Sequence, residues 1–184
     1  MTAVQWLVDG YNVLRKDPES QRAESVADRR GTGRGALGAG RAALVRRVAD
    51  AHRRSGDPFT VVFDGARGHD AGAPGGRIEV VFSRPPETAD DVLIRLAGRY
   101  REGGIVVTSD RTIQTAARRA GAIVVTSEQF IDALDGAAAD DGEDDAGEDT
   151  ARRGNPHRRS RDERATARAL RRLGASGRTD ADRE

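Results

Sequence analysis

Acidic side chains close several apolar runs of this chain, at positions that a parallel sheet would bring to one edge. Leu7-Val8 ends in Asp9-Gly10, Val62-Phe63 in Asp64-Gly65, and Val107-Thr108-Ser109 in Asp110. A further run passes through Ser83-Arg84-Pro85-Pro86 into Glu87-Thr88-Ala89-Asp90-Asp91. Two carboxylates about 4 Å apart repel by roughly 4 kcal/mol at an effective dielectric of about 20. Lys16 is the only lysine and cannot neutralise a cluster of this size. A divalent cation is the natural counter-charge, and an all-oxygen donor set without His or Cys favours Mg²⁺ or Mn²⁺ over zinc. Such an ion would clamp a phosphodiester and lower the pKa of an attacking water, so the pattern points to phosphodiester hydrolysis.

Each acid also has a plainer reading. Asp64-Gly65 is itself a common turn pair; Asp9-Gly10 has the form of a strand-ending turn, but three such ends coincide, and Asp110 can cap the helix that follows it and still face a metal. Thr88 and Asp91 have the spacing of a capping box, which makes Asp90 the better ligand of that pair. Glu87 stands where it would complement a helix dipole. Asn12 is either a turn residue or a short polar group that orients water or a phosphate oxygen.

The elements that must position these residues follow from periodicity. Strands are expected at 4–8, 59–63, 78–82, 105–108 and 123–125, where β-branched and aromatic residues run together. Helices are expected around 21–29 and over 36–54, from Thr88 to Gly103, over 111–120, and from a Ser127 cap to Leu134. Near-continuous apolar strands alternating with helices predict a mostly parallel sheet covered on both faces, hence a doubly wound α/β fold. The carboxyl ends of such strands form the edge where open α/β sheets bind ligands.

Composition removes most other chemistries. The 184 residues contain no cysteine, which excludes disulfide-linked partners, thiolate catalysis and cysteine zinc sites, and makes a cytoplasmic location the default. His52, His69 and His157 show no metal-ligand spacing, Lys16 belongs to no P-loop or Schiff-base setting, and no nucleophile elbow occurs. No apolar run approaches the ~20 residues of a membrane span. The N-terminus reads as a strand rather than a signal peptide, since its apolar run soon meets Asp9. Haloacid-dehalogenase phosphatases need a second aspartate two residues after Asp9, where Tyr11 stands. Receiver domains need a lysine after a late strand, and none is present.

At these same residues the chain resembles a known family. Leu7-Val8-Asp9-Gly10-Tyr11-Asn12-Val13 looks like the opening motif of NYN domains, a branch of the PIN-like nuclease superfamily. Val61-Val62-Phe63-Asp64-Gly65, Val80-Val81-Phe82 leading to Glu87-Thr88-Ala89-Asp90-Asp91, and Val106-Val107-Thr108-Ser109-Asp110-Arg111 are similar in order and spacing to its YacP-like subgroup. The resemblance covers residues 3–135. It implies a PIN-like three-layer α/β/α sandwich and a metal-dependent endoribonuclease, with Asp9, Asp90 and Asp110 as core metal ligands and catalytic residues. Glu87 and Asp64 are implied as supporting ligands, and Asn12 as a supporting residue at the RNA. The partner implied is RNA, in some relatives mRNA cleaved in association with translation at the ribosome. A non-catalytic RNA-binding module on the same fold is the alternative. Residues 15–40, rich in Gly and Arg, depart from the family pattern.

An acid cluster repels RNA, so binding needs flanking positive charge. Arg15, Lys16, Arg67, Arg84 and Arg111 are placed for it, Arg84 and Arg111 best because they adjoin Glu87 and Asp110. Beyond the nuclease domain, taken as 1–135, residues 136–151 carry seven acids and no base. Such a stretch cannot offset its ordering entropy, so 136–157 reads as a disordered linker. Residues 152–184 hold 11 arginines against five acids. Within them, 158–173 has the makings of a basic helix with only Leu170 and Leu173 as sizeable apolar residues, marginal when free in solution. Those arginines would either hold RNA through its phosphates or be masked by the acidic stretch folding back.

Overall fold

The computed structural model describes residues 4–30, 35–65, 76–139 and 161–174. Five strands form one sheet in the order β3-β2-β1-β4-β5, where β1 is Gln5–Asp9, β2 Phe59–Phe63, β3 Ile78–Phe82, β4 Gly104–Val107 and β5 Ile123–Val125. Every neighbouring pair is parallel. The chain builds outward from β1 to β3, then crosses back to start again at β4 beside β1. The order therefore reverses between β1 and β4, and an open sheet parts there into a crevice.

Strand alternation divides the core in two. Trp6, Val8, Phe59, Val61, Phe63, Ile105, Val107 and Val125 face one side and are buried by α1 (Gly10–Leu14), α3 (Ala36–Ser55), α6 (Ser127–Ala139) and α7 (Arg161–Gly174). Leu7, Val62, Val106 and Val124 face the other, under α4 (Ala89–Tyr100) and α5 (Arg111–Arg119). This is the parallel sheet covered on both faces that the alternation of elements predicts, and the three-layer α/β/α sandwich that the resemblance implies. Trp6 anchors the first layer, stacked on Phe59 at 5.6 Å and tilted against Phe130 at 5.8 Å.

The same parity aims the site. Asp9 shares the side of Leu7 in β1, Thr108 that of Val106, and Asp64 that of Val62, so all three turn toward α4 and α5. Register supplies the depth: Val8 pairs with Val107, which sets Asp9 level with Thr108.

Helix boundaries differ from expectation where capping chemistry decides them. The helix expected near 21–29 is α2 (Pro18–Arg29), which starts earlier because Asp17 caps it and Pro18 fits the first helical turn. The cap of α6 is Thr126 rather than Ser127. Thr126 and Gln129 form a reciprocal box, with Gln129 N donating to Thr126 Oγ1 at 3.2 Å and Thr126 N to Gln129 Oε1 at 3.0 Å. The helix α4 starts as read, with both halves of the Thr88–Asp91 capping box present.

The basic segment at the end of the chain is built into the fold, so the packed body does not stop at 135. In α7, Ala169 and Leu173 are buried in the core with α3 and α6. Arg172 pairs with the buried carboxylate of Asp57, its Nε 2.8 Å from Oδ2, and Trp6 Nε1 donates to the same Oδ2 at 3.3 Å. Thr166 Oγ1 donates to Val124 O at 2.9 Å, which ties α7 to the edge strand β5. Two leucines leave such a helix marginal when free in solution. The Asp57 pair and the uncovered sheet edge supply the rest. Helix α6 runs on to Ala139, past its expected end at Leu134 and into the segment read as linker, because alanines continue a helix; residues 140–157 lie outside the described residues.

One glycine is required by close approach. A Cβ at Gly10 would stand 2.4 Å from Phe63 Cε1 and 2.8 Å from Val62 O. Phe63 is itself clamped between Tyr11 and Phe82, at ring separations of 5.2 and 5.6 Å, so it cannot retreat. Gly10→Ala is expected to lower stability in urea unfolding by about 1–3 kcal/mol, the usual cost of overpacking. Unchanged stability would mean that the ring yields freely.

Candidate active site

Four aspartates reach the β1–β4 crevice from four different elements. Asp9 ends β1 and lies at the bottom, 9% exposed. Asp64 follows β2, Asp90 lies in the first turn of α4, and Asp110 caps α5; these three are exposed around it. Burial comes first among the causes that push the Asp9 carboxyl above the ordinary carboxylate value, and the charges of Asp90 and Asp110 add to it. Asp90 is likewise raised, by partial burial first and then by the charges of Asp110, Asp64 and Asp91. Side chains separated by up to 101 residues in sequence thus share one electrostatic site.

Local bonds fix some of these carboxylates and leave others free. Asp9 Oδ1 accepts Asn12 N at 3.2 Å, capping α1, and its Oδ2 accepts Thr108 Oγ1 at 2.8 Å. Thr108 Oγ1 in turn accepts Asp110 N at 3.1 Å, so one hydroxyl spaces two of the acids. Asp110 Oδ1 accepts Thr112 N at 2.7 Å and Ile113 N at 3.2 Å, which leaves Oδ2 unengaged. Asp64 Oδ1 accepts Ser83 Oγ at 2.6 Å. The Asp90 carboxylate accepts no hydrogen bond from the described residues. The N-termini of α4 and α5 open onto the same crevice, and their dipoles soften the repulsion among the acids.

Two of the expected residues lie differently. Glu87 is turned to Arg95 in a two-point pair, Nε to Oε1 at 2.9 Å and Nη2 to Oε2 at 3.3 Å, and does not figure among the charges acting on Asp9 or Asp90. Asn12 acts as a clasp within the protein: its Oδ1 accepts Ser109 N at 3.0 Å and Ser127 Oγ at 2.8 Å, joining α1, the segment after β4 and α6. Arg15, Arg84 and Arg111 are exposed, in the segments that follow Leu14, Ser83 and Asp110. Arg67 lies outside the described residues.

Several contributors escaped the sequence reading. Thr108 was legible from its parity with Val106. The Lys16–Glu128 pair was not, since it joins residues 112 apart. Glu128 accepts from Lys16 and, at 2.5 Å, from Ser109 Oγ, and these two donors, Lys16 foremost, pull its carboxyl down to about 2. Lys16 is therefore engaged by Glu128, and the exposed arginines remain to meet an anion.

The donor set suits a hard divalent cation: carboxylate oxygens only, two of the acids pushed toward protonation, and Asp90 with both oxygens free. As the side chains lie, no group of three or more acidic or histidine residues among the described ones stands ready as a coordination shell. An ion would have to draw the carboxylates inward, which the exposed Asp90 and Asp110 can follow.

A parallel sheet between helical layers, with aspartates gathered where its strand order reverses, defines a domain of the PIN-like class. The model of the YacP-like NYN domain matches residues 6–173, and the chain belongs to that family. The match takes in α7, in keeping with its packing. A crystal structure of Rae1 (YacP) from Bacillus subtilis, a tryptophan-to-leucine mutant, is 26% identical over 72% of this chain and 77% of that chain, with a TM-score of 0.53. Another crystal structure of Rae1 (YacP) from Bacillus subtilis is 23% identical over 74% and 78%, with a TM-score of 0.54, and shares the fold. None of the curated proteins matches the chain.

Proposed function

We propose that this protein is a metal-dependent endoribonuclease that hydrolyses RNA phosphodiester bonds at the β1–β4 crevice. The observation that carries the reading is the gathering of Asp9, Asp64, Asp90 and Asp110 at one crevice, where burial first and neighbouring carboxylates second raise Asp9 and Asp90, and no cationic side chain among the described residues acts on either. Membership of the YacP-like NYN family supports it. Asp9, Asp90 and Asp110 would hold Mg²⁺ or Mn²⁺, with Asp64 at the rim. When bound, that ion offsets phosphate charge and lowers the pKa of the attacking water.

The chain's own part is positioning. Thr108 and the Asn12 backbone hold Asp9 in one orientation, and the helix caps hold Asp110. Arg84 and Arg111 would take phosphates on either side of the crevice, and Arg15 and Arg67 are proposed as further phosphate contacts. Asn12 Nδ2 is the one atom of that side chain left to meet a phosphate oxygen. The setting proposed is cytoplasmic, with mRNA cleaved during translation as one form of the substrate.

A second reading is an RNA-binding module without turnover, on the same fold and with the same exposed arginines. Incubating the purified chain with a mixed RNA pool in Mg²⁺, Mn²⁺ or EDTA separates the two. Mapped internal cuts that need either metal and vanish in EDTA support the enzyme. Retention of RNA without cuts in any metal supports the module.

A further inference from the structure

A groove of about 1290 Å³ runs along the β5 edge of the sheet, between α5, the start of α6 and α7. Gly121 lies at its lower end, and Thr126 and Gln129, the capping pair of α6, at its upper end. The next residue after Thr126 is Ser127, whose hydroxyl holds Asn12 in the candidate active site. The groove thus opens beside the elements that carry the aspartates.

Its charge is ordered along its length. Arg161, Arg164 and Arg168 recur at three- and four-residue spacing, one per turn on one face of α7, and Arg118 of α5 lines the same groove. One helical turn rises about 5.4 Å, comparable to the step between successive phosphates of a single strand. All four arginines are exposed, and none is ion-paired with an acid among the described residues. The acids of the groove are fewer and local. Asp162 and Glu163 occupy the first turn of α7, where they complement its dipole, and Glu102 follows α4. The larger apolar lining residues, Ile123 and Leu170, are packed against the core. A docking peptide would need a deep apolar anchor site, which they do not provide.

We propose that this groove carries the single-stranded RNA that extends beyond the scissile phosphate, held by Arg118 and the α7 stripe Arg161, Arg164 and Arg168. The inference rests on the RNA-nuclease reading and adds the path of the strand. It also gives α7 a task besides covering β5: Thr166, Ala169 and Leu173 dock the helix, Arg172 at its end is held by Asp57, and the arginines before it meet the substrate.

The test replaces the stripe in the full chain, Arg161→Gln/Arg164→Gln/Arg168→Gln, leaving Arg172 and Leu173 in place so that α7 stays docked. A thermal midpoint equal to that of the parent verifies this. In an Asp9→Asn background, affinity for long single-stranded RNA should fall by about tenfold or more at low salt. The log–log salt slope should become shallower by roughly 2, three phosphates at about 0.7 each. In the active chain, cleavage of a short oligonucleotide confined to the crevice should be unchanged. Equal affinity and equal slope in stripe variant and parent overturn the groove while leaving the nuclease reading intact. A parent that binds no RNA at any salt removes both.

Discussion

An Asp9→Asn protein is expected to bind RNA at least as tightly as the parent and to cleave it on the order of a hundredfold more slowly or worse, the scale set by losing one electrostatic anchor of a transition state. Asp9 is the most buried of the cluster and the only one held by both a backbone amide and a side-chain hydroxyl. Replacing it removes one negative charge from the bottom of the crevice, so RNA meets less repulsion as the metal loses its deepest ligand. Filter binding and cleavage on the same RNA give both readouts. Parallel loss of binding and cleavage would show that the side chain matters only for folding.

Stability should move the other way, and its pH dependence has a definite sign. Asp9 and Asp90 both have folded-state values raised above the ordinary 3.8 of an aspartate. The folded protein therefore holds these protons more firmly than the unfolded chain. That contribution is fully present below 3.8 and is lost as pH climbs through the raised values. In EDTA, the midpoint of the parent should fall relative to Asp90→Asn as pH passes from the acid side toward neutrality. Added Mn²⁺ should close the gap from the parent's side alone, since a ligand that binds only the folded state stabilises it. A gap that ignores both pH and metal would mean that these carboxylates do not constrain one another.

What could be read from sequence was whatever a short window encodes. Strand runs, the Thr88–Asp91 box and the α4 start all rest on residues within a few positions of one another. The topology followed because alternation of strands and helices permits few arrangements. The convergence of Asp9, Asp64, Asp90 and Asp110 followed from that topology rather than from their spacing. Interactions between distant residues were hidden. Nothing near Glu87 foretells that Arg95, eight positions on, turns it aside. Nothing near Arg172 foretells that a buried Asp57 waits for it 115 residues earlier. The early start of α2 has a local cause: Asp17-Pro18 is a helix start in itself, although it stands beside a Gly- and Arg-rich stretch whose composition favours a loop.

Asp17 also carries the largest expected effect on stability, through Arg47. Arg47 lies in the middle of α3 and is 9% exposed, while Asp17 is fully buried. Its guanidinium pairs with Asp17 and with Asp135 of α6, and its Nε lies 3.6 Å from Glu19. Asp17 in turn accepts Ser20 N at 3.1 Å as the cap of α2. One arginine thus fastens α2 and α6 to α3. Removing it in Arg47→Met strands the Asp17 carboxylate without a counter-charge, a loss of about 3–5 kcal/mol, which is a large share of the ~5–15 kcal/mol that holds a typical domain together. Asp135→Ala should cost about 1 kcal/mol or less, because Asp135 is mostly exposed and solvent screens the pair. The discriminating protein is the double variant Arg47→Met/Asp17→Asn. It removes the stranded charge but keeps a capping oxygen, and should be more stable than Arg47→Met alone. If urea unfolding ranks the double variant below the single, the network holds the helices by shape and not by charge. The consequence would reach the site by a short path, because Arg41, on the same helix, donates to Tyr11 Oη at 3.3 Å, and Tyr11 packs on the Phe63 ring that abuts Gly10.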